Sequence, residues 1–179
     1  MASVLVVSGG LADGSRVDLL AGGVADAVRA DGADVRELRI RDLPPGPLLW
    51  RHLDHPGISP ALDLVERADA LVVVSPVLQA SFAGAVKAFL DLLGMNGLRG
   101  TDALPLMVGG STAHVLALDY ALRPVLAALG ARVAPGRYVL SAAVSRDASG
   151  RPVLAGDVET EVRRAVDQLL VGLRVGVGA

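Results

Sequence analysis

Hydrophobic and polar positions along this chain repeat with two different periods. Apolar runs typical of strands occur at 3–8, 34–40, 70–75, 103–109 and 132–140. Apolar residues at helical spacing follow them in the segments 15–31, 59–68, 81–93, 111–129 and 157–173. Because strand and helix patterns alternate strictly, the pattern predicts a parallel sheet with helices on both faces.

Right-handed crossovers leave few ways to connect such a sheet. We therefore predict one domain over residues 1–179, an α/β flavodoxin-like three-layer sandwich with a five-stranded parallel sheet in the order 2-1-3-4-5. The segment 42–57 holds four prolines and two glycines and is predicted to be a loop. Ser59 is expected to cap the next helix, and the polar segment 145–152 is expected to be a mobile turn or lid.

Ligands of such sheets bind beyond the carboxyl ends of the strands, where the strand order reverses. The loops expected there, 8–16, 75–84 and 109–114, are rich in glycine, serine and alanine. Small residues let backbone N–H groups approach a flat or phosphorylated ligand. Gly9 and Gly14 have the spacing of an ATP-binding loop, but Ser15-Arg16 stands where Lys-Ser/Thr is required. The loop instead suits a phosphate monoester at a helix N-terminus.

Composition removes several other classes of function. The absence of cysteine excludes disulfides, iron–sulfur clusters and thiolate chemistry, and the three histidines do not predict a metal site. With a net charge of −2 and no basic block, nucleic acid is not an expected partner. No apolar run reaches the roughly 18 residues of a membrane span, and the N-terminus is typical of a first strand rather than a signal peptide. We therefore expect a cytoplasmic protein that does not bind membranes.

Three segments carry a family resemblance: SPVLQASFAGAVKAFLDLLG (75–94), GTDALPLMVGGSTAHVLALDYALRPVLAALGA (100–131) and the loop 8–16. Together they resemble the NADPH-dependent FMN reductases of the alkanesulfonate-utilisation type, over about residues 2–140, and the pattern at 113–126 is the most specific part. The resemblance implies an enzyme that transfers a hydride from NADPH or NADH to FMN. It also implies that reduced flavin is released to a separate flavin-dependent monooxygenase.

The resemblance further implies which residues bind the cofactor. Those implied for the phosphate loop are Ser8, Gly10, Ser15 and Arg16, those beside the isoalloxazine are Pro76, Val77, Leu78, Gln79 and Ser81, and those at its pyrimidine side are Gly109, Gly110 and Ser111. No catalytic side chain is implied, since the cofactors carry the chemistry. Tyr120 matches a tyrosine that accompanies a π-bulge at a tetramer interface, so a homodimer or homotetramer is expected.

The first loop departs from the family pattern. The usual G-S-x-R is replaced by Gly9-Gly10-Leu11-Ala12, so one serine and one arginine are missing. Asp18 places a like charge near the expected phosphate, which costs roughly 4 kcal/mol per unit charge at about 4 Å and a dielectric of about 20. Ser15 and Asp18 also have the spacing of a capping-box pair. We therefore expect weaker FMN binding than is usual in the family.

Two other interpretations stay open at this point. One is a flavoprotein that retains FMN and reduces quinone or azo acceptors, and the other is a non-catalytic flavodoxin-like subunit. The sequence does not decide between NADH and NADPH.

Overall fold

The computed structural model describes residues 2–176 as a sheet flanked by helices on both faces. The strands are β1 (Ser3–Ser8), β2 (Asp34–Arg39), β3 (Ala70–Leu78), β4 (Ser81–Phe82), β5 (Asp102–Gly109), β6 (Arg132–Val133), β7 (Arg137–Leu140), β8 (Val144–Arg146) and β9 (Pro152–Leu154). The α-helices are α1 (Arg16–Ala30), α2 (Pro45–Leu49), α3 (Ser59–Glu66), α4 (Gly84–Leu90), α5 (Arg123–Ala128) and α6 (Gly156–Gly176). Short 3₁₀ turns lie at Ile40–Asp42, Thr112–His114 and Ser141–Ala143, and a π-helical segment at Leu118–Leu122.

The order of the parallel strands is β2-β1-β3-β5-β6, and β7 continues the same edge beside β5. β4 is a two-residue antiparallel partner of the end of β3. When β4 is set aside and β6 and β7 are taken as two parts of one strand, the order is 2-1-3-4-5. The predicted flavodoxin-like topology is therefore confirmed.

Alternate residues of each strand enter two separate cores. Val4 and Val6 of β1 pack with α1 and α6 on one face of the sheet. Leu5 and Val7 pack with α3, α4 and α5 on the other face. Because both faces are covered, each inner strand holds a continuous apolar run, at 4–7 in β1, 70–74 in β3 and 103–108 in β5.

The proline-rich segment 42–57 is not wholly irregular, so the prediction of a loop was wrong for residues 45–49. Three of its four prolines, Pro44, Pro45 and Pro47, fall at the beginning of α2, where a missing N–H breaks no helical hydrogen bond. The N–H of Leu48 bonds the carbonyl of Pro44 at 3.0 Å. The N-cap of α3 lies one residue earlier than predicted. Ile58 occupies the N-cap position, and the expected cap Ser59 is the first helical residue.

Two predicted elements are interrupted at prolines. The expected helix 111–129 is divided into a 3₁₀ turn, the π-helical segment and α5. Pro124 has no N–H to donate to the carbonyl four residues earlier, so a regular α-helical ladder cannot pass through it. The expected strand 132–140 is split around Pro135 into β6 and β7, which pair with β5 in registers that differ by one residue.

Two hairpins lie outside the predicted pattern. The expected helix 81–93 begins only at Gly84, because Ser81 and Phe82 pair back onto β3. The segment 145–152 contains the end of β8, the turn at 147–151 and the start of β9, which form a separate two-stranded hairpin. Among the described residues, no helix is both long enough and apolar enough to cross a bilayer.

Candidate functional site

The carboxyl ends of β1, β3 and β5 meet at one edge of the sheet. These strands are adjacent and parallel, with Ser8 beside Val74 and Pro76 beside Val108. The three loops that follow them are therefore neighbours, as predicted from the alternation of strands and helices.

The β1–α1 loop is organised around two serines. Ser15 is the N-cap of α1, and its Oγ accepts a hydrogen bond from the N–H of Asp18 at 3.2 Å. Ser8 is 3% exposed; its Oγ accepts from the N–H of Gly10 at 3.2 Å and donates to Asp18 Oδ1 at 2.6 Å. The hydroxyl of Ser8 thus stabilises the loop from inside.

Asp18 does not form the second half of a capping box. Its carboxylate turns away from the N-cap and accepts hydrogen bonds from Ser8 and from Arg41, whose Nη1 lies 2.7 Å from Asp18 Oδ2. Burial lowers the pKa of Arg41, but the hydrogen bonds and opposite charges of Asp18 and Asp13 raise it above its usual value overall. The negative charge expected to weaken phosphate binding is therefore paired with a positive one.

Arg16 is the first residue of α1 and is exposed. Its Nε donates to the carbonyl of Val144 at 3.3 Å, so it connects the helix to the β8–β9 hairpin. Among residues 2–176, the backbone N–H groups of residues 11–14, 16 and 17 have no hydrogen-bond acceptor. The loop thus combines a cation with several unpaired donors at a helix N-terminus.

The second loop is a tight hairpin. Gln79 and Ala80 have φ angles of 48° and 58°, which give the two-residue turn between β3 and β4 its left-handed backbone. Buried Ser75 fixes the base of this hairpin, because its Oγ donates to the carbonyl of Pro76 and accepts from the N–H of Ala83, both at 3.0 Å.

The predicted residues of this hairpin differ in exposure. Pro76, Val77 and Ser81 are half-buried, Gln79 is exposed, and the side chain of Leu78 is 43% exposed. The hairpin therefore presents a small, partly apolar edge beside the third loop.

The third loop leaves β5 at Gly109, which is buried, whereas Gly110 and Ser111 are exposed. Tyr138 of β7 donates from its hydroxyl to the carbonyl of Ser111 at 2.6 Å. Burial raises the pKa of Tyr138, so the phenol stays protonated and can donate this bond. The neighbouring strand thus holds the third loop in place.

A surface cavity of about 250 Å³ lies between the hairpin turn and the π-helical segment. It is lined by Ala80, Ala113, His114, Leu116, Ala117, Tyr120 and Ala121. Tyr120 lies within the π-helical segment and is 78% exposed, so the π-helical turn implied by the resemblance is present. Within the described residues, no group of histidine, aspartate and glutamate side chains could hold a metal ion.

Arg41, Ser75 and Tyr138 are structural members of this site that the sequence did not reveal. Arg41 follows the half-covered strand β2, and Tyr138 lies on β7 at the other edge of the main sheet, so each reaches a loop far from it in sequence. Ser75 was visible as a polar residue at the end of an apolar strand, which is a signal that could have identified it.

Comparison with known proteins gives concordant matches. A sequence model of the NADPH-dependent FMN reductase family matches residues 2–145. An "FMN reductase (NADPH)" of Pseudomonas putida is 46% identical over 101 residues, which are 56% of this chain and 51% of that protein. An "FMN reductase (NADPH)" of Pseudomonas aeruginosa is 31% identical over 92% of this chain and 89% of its own length.

A solved structure resembles the whole described fold. The apo form of an NADH:FMN oxidoreductase (EMOB) is 34% identical with a TM-score of 0.87, covering 96% of this chain and 90% of that one. The match to the P. putida relative, in contrast, spans about half of that protein's length.

Proposed function

Because this chain belongs to the NADPH-dependent FMN reductase family, we propose that it transfers a hydride from NADPH or NADH to FMN. The observation that carries the proposal is the meeting of three small-residue loops at the carboxyl ends of β1, β3 and β5 in a chain of this family. Similar proteins are named for NADPH and for NADH, so both nucleotides are candidate donors.

The residues at this edge fit a phosphorylated flavin. Unpaired N–H groups of residues 11–14, 16 and 17 and the charge of Arg16 suit a phosphate at the N-terminus of α1. The nearby carboxylate of Asp18 is paired with Arg41, which reduces its repulsion of an anion.

Bound FMN and a nicotinamide nucleotide supply the acceptor and donor of the hydride, and the chain supplies orientation. The hairpin at residues 76–81 lines one side of the proposed ring site with the half-buried side chains of Pro76, Val77 and Ser81. Backbone N–H groups of Gly109, Gly110 and Ser111 are the proposed donors to the pyrimidine edge of the flavin, where negative charge develops. Tyr138 keeps these donors in position through its bond to Ser111.

The proposed reaction is tested by following NADPH or NADH oxidation by the purified chain with and without added FMN. Oxidation that depends on added FMN supports the proposal. Flavin that co-purifies and is not released would favour reduction of quinone or azo acceptors by a retained cofactor. Absence of oxidation with FMN, FAD, riboflavin and quinones would refute the enzymatic proposal and leave the non-catalytic subunit.

We further propose that reduced FMN leaves for a flavin-dependent monooxygenase in the cytoplasm. The exposure of residues 11–14 at the proposed phosphate end supports a site that is open to solvent and can exchange flavin. Adding this protein, a nicotinamide nucleotide and catalytic FMN to a purified monooxygenase of that class should start oxygen-dependent product formation. No product, although free FMN is reduced, would contradict this role.

A homo-oligomer with the Tyr120 segment at the interface is proposed from the exposed apolar surface there. Tyr120 is 78% exposed and Leu116 is 59% exposed. Contact of this apolar surface with water is unfavourable, so burial against a second subunit would stabilise it. Tyr120→Glu should lower the mass measured by light scattering after size exclusion. Met95→Glu is the matched control, because Met95 is 93% exposed but lies outside this segment. An unchanged mass for Tyr120→Glu would refute the proposed interface.

A further inference from the structure

Arg41 reaches the β1–α1 loop from the end of β2. It lies in the 3₁₀ turn that follows this strand, and its side chain is 16% exposed. Its Nη1 is 2.7 Å from Asp18 Oδ2 and 3.5 Å from the carbonyl oxygen of Gly10, and its Nη2 is 2.5 Å from Asp13 Oδ1. One guanidinium group thus contacts the loop and the first turn of α1.

Three carboxylates pair with Arg41, of which Asp42 is the most distant, with Oδ1 3.8 Å from Nε. The two closer ones, Asp18 and Asp13, differ in how firmly they are fixed. The side chain of Asp18 is 13% exposed and accepts hydrogen bonds from both Ser8 and Arg41. The backbone N–H of Asp18 also donates to Ser15 Oγ. Asp13 is 91% exposed, and within the described residues its carboxylate has Arg41 as its single partner. An ion pair this exposed is weak, so Asp13 can be exchanged for another anion at small cost.

We propose that Arg41 binds the 5′-phosphate of the flavin and that Asp13 is the counter-ion which the phosphate displaces. This inference rests on the proposed function. Asp18 keeps the guanidinium oriented while Nη2 exchanges the carboxylate of Asp13 for the phosphate as its hydrogen-bond acceptor. A phosphate can accept two parallel N–H bonds from one arginine. Arg41 therefore supplies, from the turn that follows β2, the positive charge that Ala12 does not supply within the loop.

The two residues have effects of opposite sign on FMN. Removing Arg41 removes a charged donor and should weaken FMN binding by about 10- to 100-fold. Removing the charge of Asp13 removes a competitor and should tighten FMN binding by about 2- to 5-fold. Riboflavin has the same ring system without a phosphate, so neither change should alter its affinity by more than about 2-fold.

The test is titration of the purified full chain with FMN and with riboflavin, followed by quenching of flavin fluorescence. The variants are Arg41→Gln, Arg41→Lys and Asp13→Asn, and Arg41→Lys should recover part of the FMN affinity because it restores the charge. Arg132→Gln is the matched control: Arg132 also pairs with a carboxylate, Asp102, but at the opposite end of β5, and both flavin affinities should be unchanged.

Each outcome decides a separate claim. Equal weakening of FMN and riboflavin by Arg41→Gln would overturn the inference and make Arg41 a structural clamp. An unchanged FMN affinity in Asp13→Asn, which is exposed and does not threaten folding, would overturn the exchange of counter-ions. If the unaltered protein bound neither flavin, the proposed function itself would fail, and the inference with it.

Discussion

Gly109→Ala tests how closely Tyr138 is packed on the third loop. A Cβ atom on Gly109 would lie 1.8 Å from the Tyr138 hydroxyl oxygen and 2.6 Å from its Cζ atom. The backbone of Gly109 is that of an ordinary strand, so alanine brings no backbone strain. The tyrosine ring must therefore move, and its bond to Ser111 is lost.

The expected cost has two parts. Loss of the hydrogen bond costs about 1 kcal/mol, and displacing the ring in a packed site costs about 1 to 2 kcal/mol more. The free energy of unfolding should therefore fall by about 2 to 3 kcal/mol. In a Tyr138→Ala background the obstructing atoms are gone, and the same substitution should cost less than about 0.5 kcal/mol.

The assay is urea unfolding of the unaltered protein, both single variants and the double variant. Gly110→Ala is the matched control, because an added Cβ there meets no atom within 4 Å. Its free energy of unfolding should change by less than about 0.5 kcal/mol. If Gly109→Ala were equally costly with and without Tyr138, the close contact would not be the cause and the reasoning would be refuted.

Three further predictions follow from single positions. Ala80→Gly should raise the free energy of unfolding by up to about 1 kcal/mol in urea titration, because alanine is unfavourable at its φ of 58°; a loss of stability would contradict this. Ala12→Arg should tighten FMN but not riboflavin in fluorescence titration, and an unchanged FMN affinity would mean that the phosphate lies elsewhere. The Ser149 hydroxyl and the N–H of Arg151 lower the pKa of Asp147. The ionised carboxylate holds the β8–β9 turn together through these hydrogen bonds. This stabilisation should therefore be complete above the ordinary carboxyl pKa, and it should be lost as the pH falls through the lowered pKa of Asp147 in the folded protein. Amide chemical shifts of Ser149 and Arg151 would report this loss, and shifts independent of pH in that range would contradict it.

The layered fold follows from the pattern of apolar residues along the chain. A strand covered on both faces contains a continuous apolar run, so β1, β3 and β5 are visible from local residues alone. The alternation of these strands with helices then fixed the strand order and placed three loops at one edge. The resemblance likewise indicated the π-helical turn around Tyr120, since a long local pattern carried it.

Local irregularities were less visible because they depend on position within an element. The prolines of 42–57 suggest a loop by composition, yet Pro44, Pro45 and Pro47 are compatible with α2 because they fall at its N-cap and in its first turn. The two-residue turn at Gln79 and Ala80 carries no glycine or asparagine, so the usual sequence signal for such a turn is absent.

The electrostatics of the first loop depend on contacts between residues that are distant in sequence. From the sequence, Asp18 is a charge that repels a phosphate, and Ser8 is a ligand for it. The fold brings Arg41 from the end of β2 to Asp18 and turns the hydroxyl of Ser8 inward to the same carboxylate. Charges act through space over a few ångströms. Arg41 lies 23 positions from Asp18 in the sequence, yet it determines how strongly the charge of Asp18 repels a phosphate. No local sequence pattern reveals this pairing.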